Sequence, residues 1–424
     1  MNKKFQIVII GAGNAGISVA AQLLRKNSGL NIALIDPSEY HYYQPAYTLV
    51  AAGVFDINKT KKFQKDYIPQ NTTWIKDTVT EFKPDTNSIV CSNGDEINYD
   101  IMIVAPGIQL DWSKIKGSKE AIFNNPKVTS NYLFELPTKT WQMIQDFKGG
   151  VAVFTNPNTP IKCGGAPHKI MYLAVDYWRK KGILDKCQVH YISGAGVLFG
   201  IKEYLGALEE TVAEGNIHTH FGSNVVEINS SNNTVVYETK ADKEVLDNEV
   251  KQFGGACYGI TEQADEQIKK VEIAFDFCHV VPPQSAPDFV KNSALADPKN
   301  PHGYVEVDMY TLQHSRYSNV FSLGDVINAP CSKTGAAIRK QAPVVVDNIL
   351  SYMKNEALVA KYSGYSACPI PTKFGRLLLA EFDYTNKPAM SFPINQTKPW
   401  WVMWILKLKI LPWLYWNRIL KGTA

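Results

Sequence analysis

Short apolar runs punctuate the chain, and each closes on a turn-forming residue. Phe5 to Ile10 runs into Gly11, Asn31 to Ile35 into Asp36, and Tyr99 to Val104 into a Pro106-Gly107 turn. Val151 to Phe154 and Tyr317 to Leu323 follow the same plan, the last ending in Gly324-Asp325. These runs predict buried strands. Helical patterns follow three of them: a stretch of small and apolar residues beyond Gly16, then Lys169 to Trp178, then Gly335 to Met353. Strands alternating with helices predict an α/β chain. Residues 229–272, rich in Asn, Asp, Glu and Lys, depart from the pattern and predict a solvated excursion of strands and one helix. Cys257 within it reads as a flexible-loop thiol.

Two strand–loop–helix crossings carry the candidate chemistry. In the first, Gly11, Gly13 and Gly16 form G-x-G-x-x-G between a strand and a helix, and Asp36 ends the next strand. Glycines there let backbone approach a pyrophosphate, the helix N-terminus favours its charge, and the acid is placed for a ribose hydroxyl. In the second, residues 155–165 offer Asn156, Pro157, Pro160, Cys163, Gly164 and Gly165 instead. Proline has no N–H to give a phosphate, so this loop reads as one that presents a thiol. A helix starting just beyond Cys163 favours the thiolate. The expected architecture is two Rossmann-like domains in tandem plus C-terminal amphipathic helices that dock on a membrane. Residues 1–115 and 303–365 would form the dinucleotide-binding domain, residues 116–302 a second one without a nucleotide loop, and 366–424 a C-terminal docking region.

Composition refines this picture. A chain of 424 residues with 45% hydrophobic and 20% charged residues is globular and too long for one ordinary core. The first strand begins by Phe5, so no signal or transit peptide is expected before it, and cytoplasmic synthesis follows. Cysteines at 91, 163, 187, 257, 278, 331 and 368 do not suggest a structural disulfide framework in that compartment. No metal-ligand spacing of His and Cys occurs. The net charge of +4 sits in the tail: Lys398, Lys407, Lys409, Arg418 and Lys421 stand there without an acid, leaving 39 basic against 40 acidic residues elsewhere. That distribution excludes a nucleic-acid-binding profile. Trp400, Trp401, Trp404, Trp413 and Trp416 share the tail, which Pro412 is expected to break into two short helices. Each half is shorter than the roughly 20 apolar residues a bilayer span needs. Snorkelling lysines and interfacial tryptophans describe helices lying in one leaflet.

Four separated segments, PIKCGGAPHKIMYL, FDFCHVVPPQSAPDFV (275–290), SLGDVINAPCSKTGAAIRKQAPVVVDNIL (322–350) and LLLAEFDY (377–384), resemble the sulfide:quinone oxidoreductases, in the branch of the mitochondrial enzyme and its bacterial relatives. The resemblance runs nearly end to end. It implies FAD, held through Gly11, Gly13, Gly16, Asp36, Pro106, Gly107, Gly324 and Asp325, with no thioether because no cysteine lies between Cys91 and Cys163. It implies sulfide as donor, a membrane quinone as acceptor, and a redox-active cysteine pair that carries a persulfide. Cys163 matches the family's flavin-side cysteine. In the mitochondrial enzyme the second cysteine follows the Gly-Asp directly, where this chain has Val326. Either the partner has moved to Cys331, the nearest thiol and the favoured choice, or the relay differs. By position, Lys333 is expected to stabilise negative charge on reduced flavin, and His168 to handle a proton or to bond to backbone. Phe382 and Tyr384 stand where the resemblance places a quinone ring. The expected location is the cytoplasmic side of a cell inner membrane, peripherally bound. The sulfur acceptor (a small-molecule thiol, sulfite or sulfide), the quinone type and a homo-oligomeric state stay open.

Competing readings are a type II NADH:quinone dehydrogenase-like flavoenzyme, an exported sulfide dehydrogenase serving a cytochrome, and a non-catalytic membrane-docked flavoprotein redox sensor. The first needs a second glycine-rich loop near residue 155, which is missing. NADH should therefore fail to bleach the purified yellow protein at a useful rate in stopped-flow absorbance; rapid bleaching would favour the dehydrogenase.

Overall fold

The computed structural model describes residues 3–253, 258–262 and 268–424. The chain is α/β, with two Rossmann-type sheets. The first sheet is parallel where the apolar runs meet: Thr72–Ile75, Ile32–Ile35, Lys3–Ile10 and Glu96–Val104 lie side by side in that order. Ile7, Val8 and Ile9 are fully buried because helices cover both faces of such a sheet. Glu96–Val104 serves two neighbours along its length. Its first half pairs antiparallel with Ser88–Cys91, and its second half pairs parallel with Val320–Ser322. The chain thus returns to the first sheet after a long absence, and helix Gly335–Met353 packs against helix Asn14–Lys26.

The second sheet is parallel throughout, in the order Val128–Thr129, Phe277–His279, Gly150–Asn156, Cys187–Ser193, Ile217–Phe221. The polar stretch adds an antiparallel sheet of Asn224–Asn229, Thr234–Thr239, Lys269–Ala274 and Tyr258–Glu262, with helix Lys243–Phe253 beside it. Only one of its faces is solvated. Val235, Tyr237, Val271 and Ile273 alternate inward onto Trp112, Ile115 and Ile228. Cys257 lies outside the described residues.

A hairpin, Ser366–Lys373 with Arg376–Phe382, packs on helix Ala166–Lys180. Beyond it the tail differs from expectation. Pro412 does not divide it into two helices: helical backbone runs from Trp401 to Ile419, with π-type turns at Leu406–Ile410 and Tyr415–Ile419 flanking Leu411–Leu414. Proline lacks an N–H and its ring crowds the carbonyl four residues back, and the wider turn before it accommodates both. One side of the tail is core. Met403 and Trp404 pack with Leu49, Leu173, Leu377 and Leu379, while Tyr415, Trp416 and Leu420 join the first domain's core. The other side exposes Trp401 at 60%, Val402 at 52%, Ile410 at 49% and Trp413 at 58%. Among the described residues, no helix is long and apolar enough to cross a membrane.

Candidate active site

The dinucleotide cradle is built at the C-terminal ends of the first sheet's strands, where such sheets bind ligands. Gly11 has φ +96°, and a Cβ on it would come 2.5 Å from the Ala105 carbonyl oxygen. A Cβ on Gly16 would meet Gly11 O at 1.9 Å, so the helix can close on the strand only with glycine at both places. Asp36 accepts from Ala12 N–H at 2.7 Å and Ser38 N–H at 2.8 Å, which fixes its carboxylate at the loop. In contrast, a Cβ on Gly13 or Gly107 would touch nothing within 4 Å: both face open space, as a ligand-cradling loop requires. Gly324, at φ +83°, donates its N–H to Gln341 Oε1 at 2.8 Å, and Thr334 caps the helix behind it by accepting from Ala337 N–H at 3.2 Å. Burial raises the pKa of Asp325, against the pull of Lys162 and Lys333. These residues fit a bound dinucleotide.

The second crossing meets that cradle directly. Cys163 N–H donates to the Lys333 carbonyl at 2.8 Å, tying the two loops together. Cys163 itself stands at φ +57°, a left-handed conformation uncommon for a residue with a Cβ. Its carbonyl accepts from Ala166 N–H at 2.7 Å, where helix Ala166–Lys180 begins. The helix then returns Lys169 to the sulfur, with Nζ donating to Cys163 Sγ at 2.9 Å.

The neighbouring thiol is Cys368, whose Sγ lies 3.3 Å from Cys163 Sγ. Both are free thiols. Cys368 reaches this place because Gly165 has no side chain: a Cβ there would stand 2.6 Å from Cys368 Sγ. The pKa values of the two thiols move in opposite directions. The hydrogen bond from Cys368, assisted by Lys169 and opposed by burial, holds Cys163 well below the usual thiol range, while the same bond and burial push Cys368 well above it. Lys169 is only 4% exposed; burial disfavours its charge, but the two thiols outweigh this and its pKa is raised. A second buried lysine comes from the tail. Lys407 donates to Pro45 O at 3.3 Å, and burial together with Lys169 lowers its pKa to about 7, against the opposing pull of the two sulfurs.

Several sequence expectations place differently. Cys331 is not the thiol beside Cys163. It belongs with the first domain's core, where Gln341 Nε2 approaches its sulfur at 3.5 Å and burial raises its pKa. The loop after Gly-Asp turns it toward Tyr362, whereas Cys163 and Cys368 pack with the second domain. His168 is 2% exposed against Tyr172 and Tyr191, neither ring nitrogen meets a protein partner, and burial lowers its pKa to about 3. The helix turns its neighbour Lys169 to the sulfur instead. Lys333 points back, donating to the carbonyls of Asp325 and Ile327 over the Tyr304 ring, and burial lowers its pKa to about 8. Phe382 and Tyr384 are not brought together: Phe382 packs on Phe199, and Tyr384 donates its hydroxyl to Met309 O. Sequence reasoning missed Cys368, Lys169 and Lys407. The legible hints were a lysine in the first turn of an otherwise apolar helix and a Cys-Pro in the strand before LLLAEFDY.

Comparison with known proteins identifies the family. The family described as pyridine nucleotide-disulphide oxidoreductase matches residues 5–344. The chain is 40% identical to the mitochondrial sulfide:quinone oxidoreductase of Mus musculus over 99% of this chain and 87% of that one. It is 41% identical to the mitochondrial sulfide:quinone oxidoreductase of Dictyostelium discoideum, over 98% and 86% respectively. The solved sulfide:quinone oxidoreductase of the hyperthermophilic bacterium Aquifex aeolicus shares the fold, with a TM-score of 0.74 at 21% identity, covering 99% of this chain and 92% of that one.

Because Lys169 lowers the Cys163 pKa, Lys169→Met should move the inflection in the pH dependence of Cys163 alkylation to higher pH. The thiolate is the reacting species, so alkylation at neutral pH should slow. An unmoved inflection, read by mass spectrometry of the labelled peptide, would show that Lys169 does not stabilise the thiolate.

Proposed function

The chain belongs to the sulfide:quinone oxidoreductases, flavoenzymes that oxidise sulfide and reduce a quinone, and we propose that Cys163 and Cys368 are its sulfur-side redox pair. The observation that carries this reading is the 3.3 Å contact between two thiols of opposite pKa shift, one of them bonded to a buried ammonium. In the oxidised pair, hydrosulfide attacks Cys368 Sγ. A new S–S bond forms there, the Cys163–Cys368 bond breaks, and Cys163 leaves as thiolate beside Lys169. The direction follows from the leaving group, since the Lys169 ammonium at 2.9 Å stands ready to stabilise a thiolate departing from Cys163. Cys368 then carries a persulfide, and the electron pair given up by sulfide rests on Cys163. Attack by a second nucleophile, a small thiol, sulfite or another hydrosulfide, removes the outer sulfur and restores Cys368.

The cradle of Gly11, Gly13, Gly16, Asp36, Gly107, Gly324 and Asp325 suits FAD, which we take to be bound without a covalent link. When bound, its ring accepts two electrons from the dithiol and releases them to quinone. Lys407, lowered to about 7, exchanges a proton near neutral pH as the sulfur charge changes, a role its pKa suits. His168, buried and neutral, is left out of proton transfer at the sulfur. The quinone approaches along the tail. His41 joins the first glycine loop to the tail there, with Nδ1 at 3.2 Å from Ala12 O and Nε2 at 2.6 Å from the Tyr415 hydroxyl. The exposed Trp401, Ile410 and Trp413 side docks peripherally on the membrane that holds the quinone.

Anaerobic sulfide titration tests the pair. Cys163→Ser and Cys368→Ser should each slow sulfide-dependent flavin bleaching by about a thousandfold or more, whereas Cys331→Ser should bleach at a near-normal rate. Loss of bleaching in Cys331→Ser, with Cys368→Ser active, would return the partner role to Cys331.

A further inference from the structure

A second surface continues the exposed side of the tail. Tyr40–Tyr42 and Lys61–Phe63 form a short antiparallel hairpin, with Tyr40 opposite Phe63 and Tyr42 opposite Lys61. Alternation sends His41 and its cross-strand partner Lys62 to the tail side, against Tyr415 and Trp416, and Tyr40, Tyr42, Lys61 and Phe63 to the opposite face. The outward face is aromatic and basic. Tyr40 stacks on Phe63 at 5.1 Å, Lys61 Nζ sits 3.7 Å over the Tyr40 ring, and Lys65 Nζ sits 5.3 Å from the Phe63 ring. Phe63 is 51% exposed and Tyr42 37%, although neither is needed to close a core.

The cations are not ion-paired. No Asp or Glu lies between Asp56 and Asp66, a stretch that holds Lys59, Lys61, Lys62 and Lys65. Among the described residues none of the four lysines forms an ion pair. The segment also lies alongside the tail over its length. Val54 and Phe55 pack in the cluster of Met403 and Trp404, and at the other end Tyr67 packs on Trp416 at 5.0 Å with Lys62 Nζ 4.6 Å from the same ring.

Building on the membrane reading of the tail, we propose that the Lys59–Lys65 hairpin is a second docking element that binds anionic lipid headgroups. Its chemistry differs from the tail's. The tail offers apolar area, which any bilayer satisfies, whereas the hairpin offers lysines held among exposed aromatic rings, which suit the headgroup layer of a negatively charged leaflet. The tail thus supplies insertion and the hairpin supplies lipid selectivity. Anchored at both flanks, the protein would also be fixed in rotation about the tail axis.

Vesicle sedimentation of the full-length flavoprotein separates the two elements, using phosphatidylcholine alone and phosphatidylcholine mixed with phosphatidylglycerol. The unaltered protein should prefer the anionic vesicles, with the preference falling as salt rises. The variant K59Q/K62Q/K65Q should lose about tenfold to a hundredfold in partition to anionic vesicles, keep its binding to neutral ones, and bleach with sulfide at the unaltered rate. Trp401→Ser combined with Trp413→Ser should weaken binding to both vesicle types. If the lysine variant matches the unaltered protein on anionic vesicles, or the unaltered protein shows no anionic preference, the hairpin proposal is wrong. If the tryptophan variant binds neutral vesicles undiminished, the tail reading fails instead, while the lysine variant still decides the hairpin.

Discussion

One negative charge, held in a largely buried place, organises the centre of this molecule. A thiolate away from water is costly unless cations and hydrogen-bond donors surround it. Cys163 has both: the Cys368 thiol at 3.3 Å and the Lys169 ammonium at 2.9 Å. Each demands something of the fold. Lys169 must stand one turn into a helix whose start is fixed by the left-handed backbone at Cys163. Cys368 must come from a hairpin far along the chain and pass over a residue with no side chain. The covering helix Ala166–Lys180, the hairpin on it and the tail against both are therefore one construction around the sulfur.

The same loop couples the two domains. Cys163 N–H on the Lys333 carbonyl joins the thiol loop to the turn that begins the helix Gly335–Met353. In the proposed relay, electrons leaving sulfur would cross this junction. At this junction burial raises the pKa of Asp325, and the flanking Lys162 and Lys333 oppose the rise.

The parts of this arrangement that local physics dictates were legible in the sequence. The glycine loop, the acid at the end of the second strand, the Gly-Asp turn and the helix capped by Thr334 all follow from short-range rules, and the thiol loop stood out because prolines replace phosphate-binding backbone. The sulfur partner was not legible. Cys331 was favoured because it is near in sequence to the flavin turn, yet 205 residues separate the two sulfurs that meet. Chain proximity carries no information about which thiol a distant hairpin will bring to Cys163. The tail's Pro412 misled for a related reason: proline breaks a regular α-helix, but not one already widened into π turns. Lys407 was read as a snorkelling lysine, and tertiary packing buried it to 5% exposure.

That separation of 205 residues has a temporal side. Chains emerge from the ribosome N-terminus first, and domains can fold as they emerge. Cys163 leaves with the second domain's helix, long before Cys368 or Lys407 exists. The largest influence that lowers its pKa is the bond from Cys368, so a nascent chain, with Lys169 alone beside this sulfur, holds a thiol that ionises less readily than in the finished fold. The last hairpin to be made is the one that completes the pair.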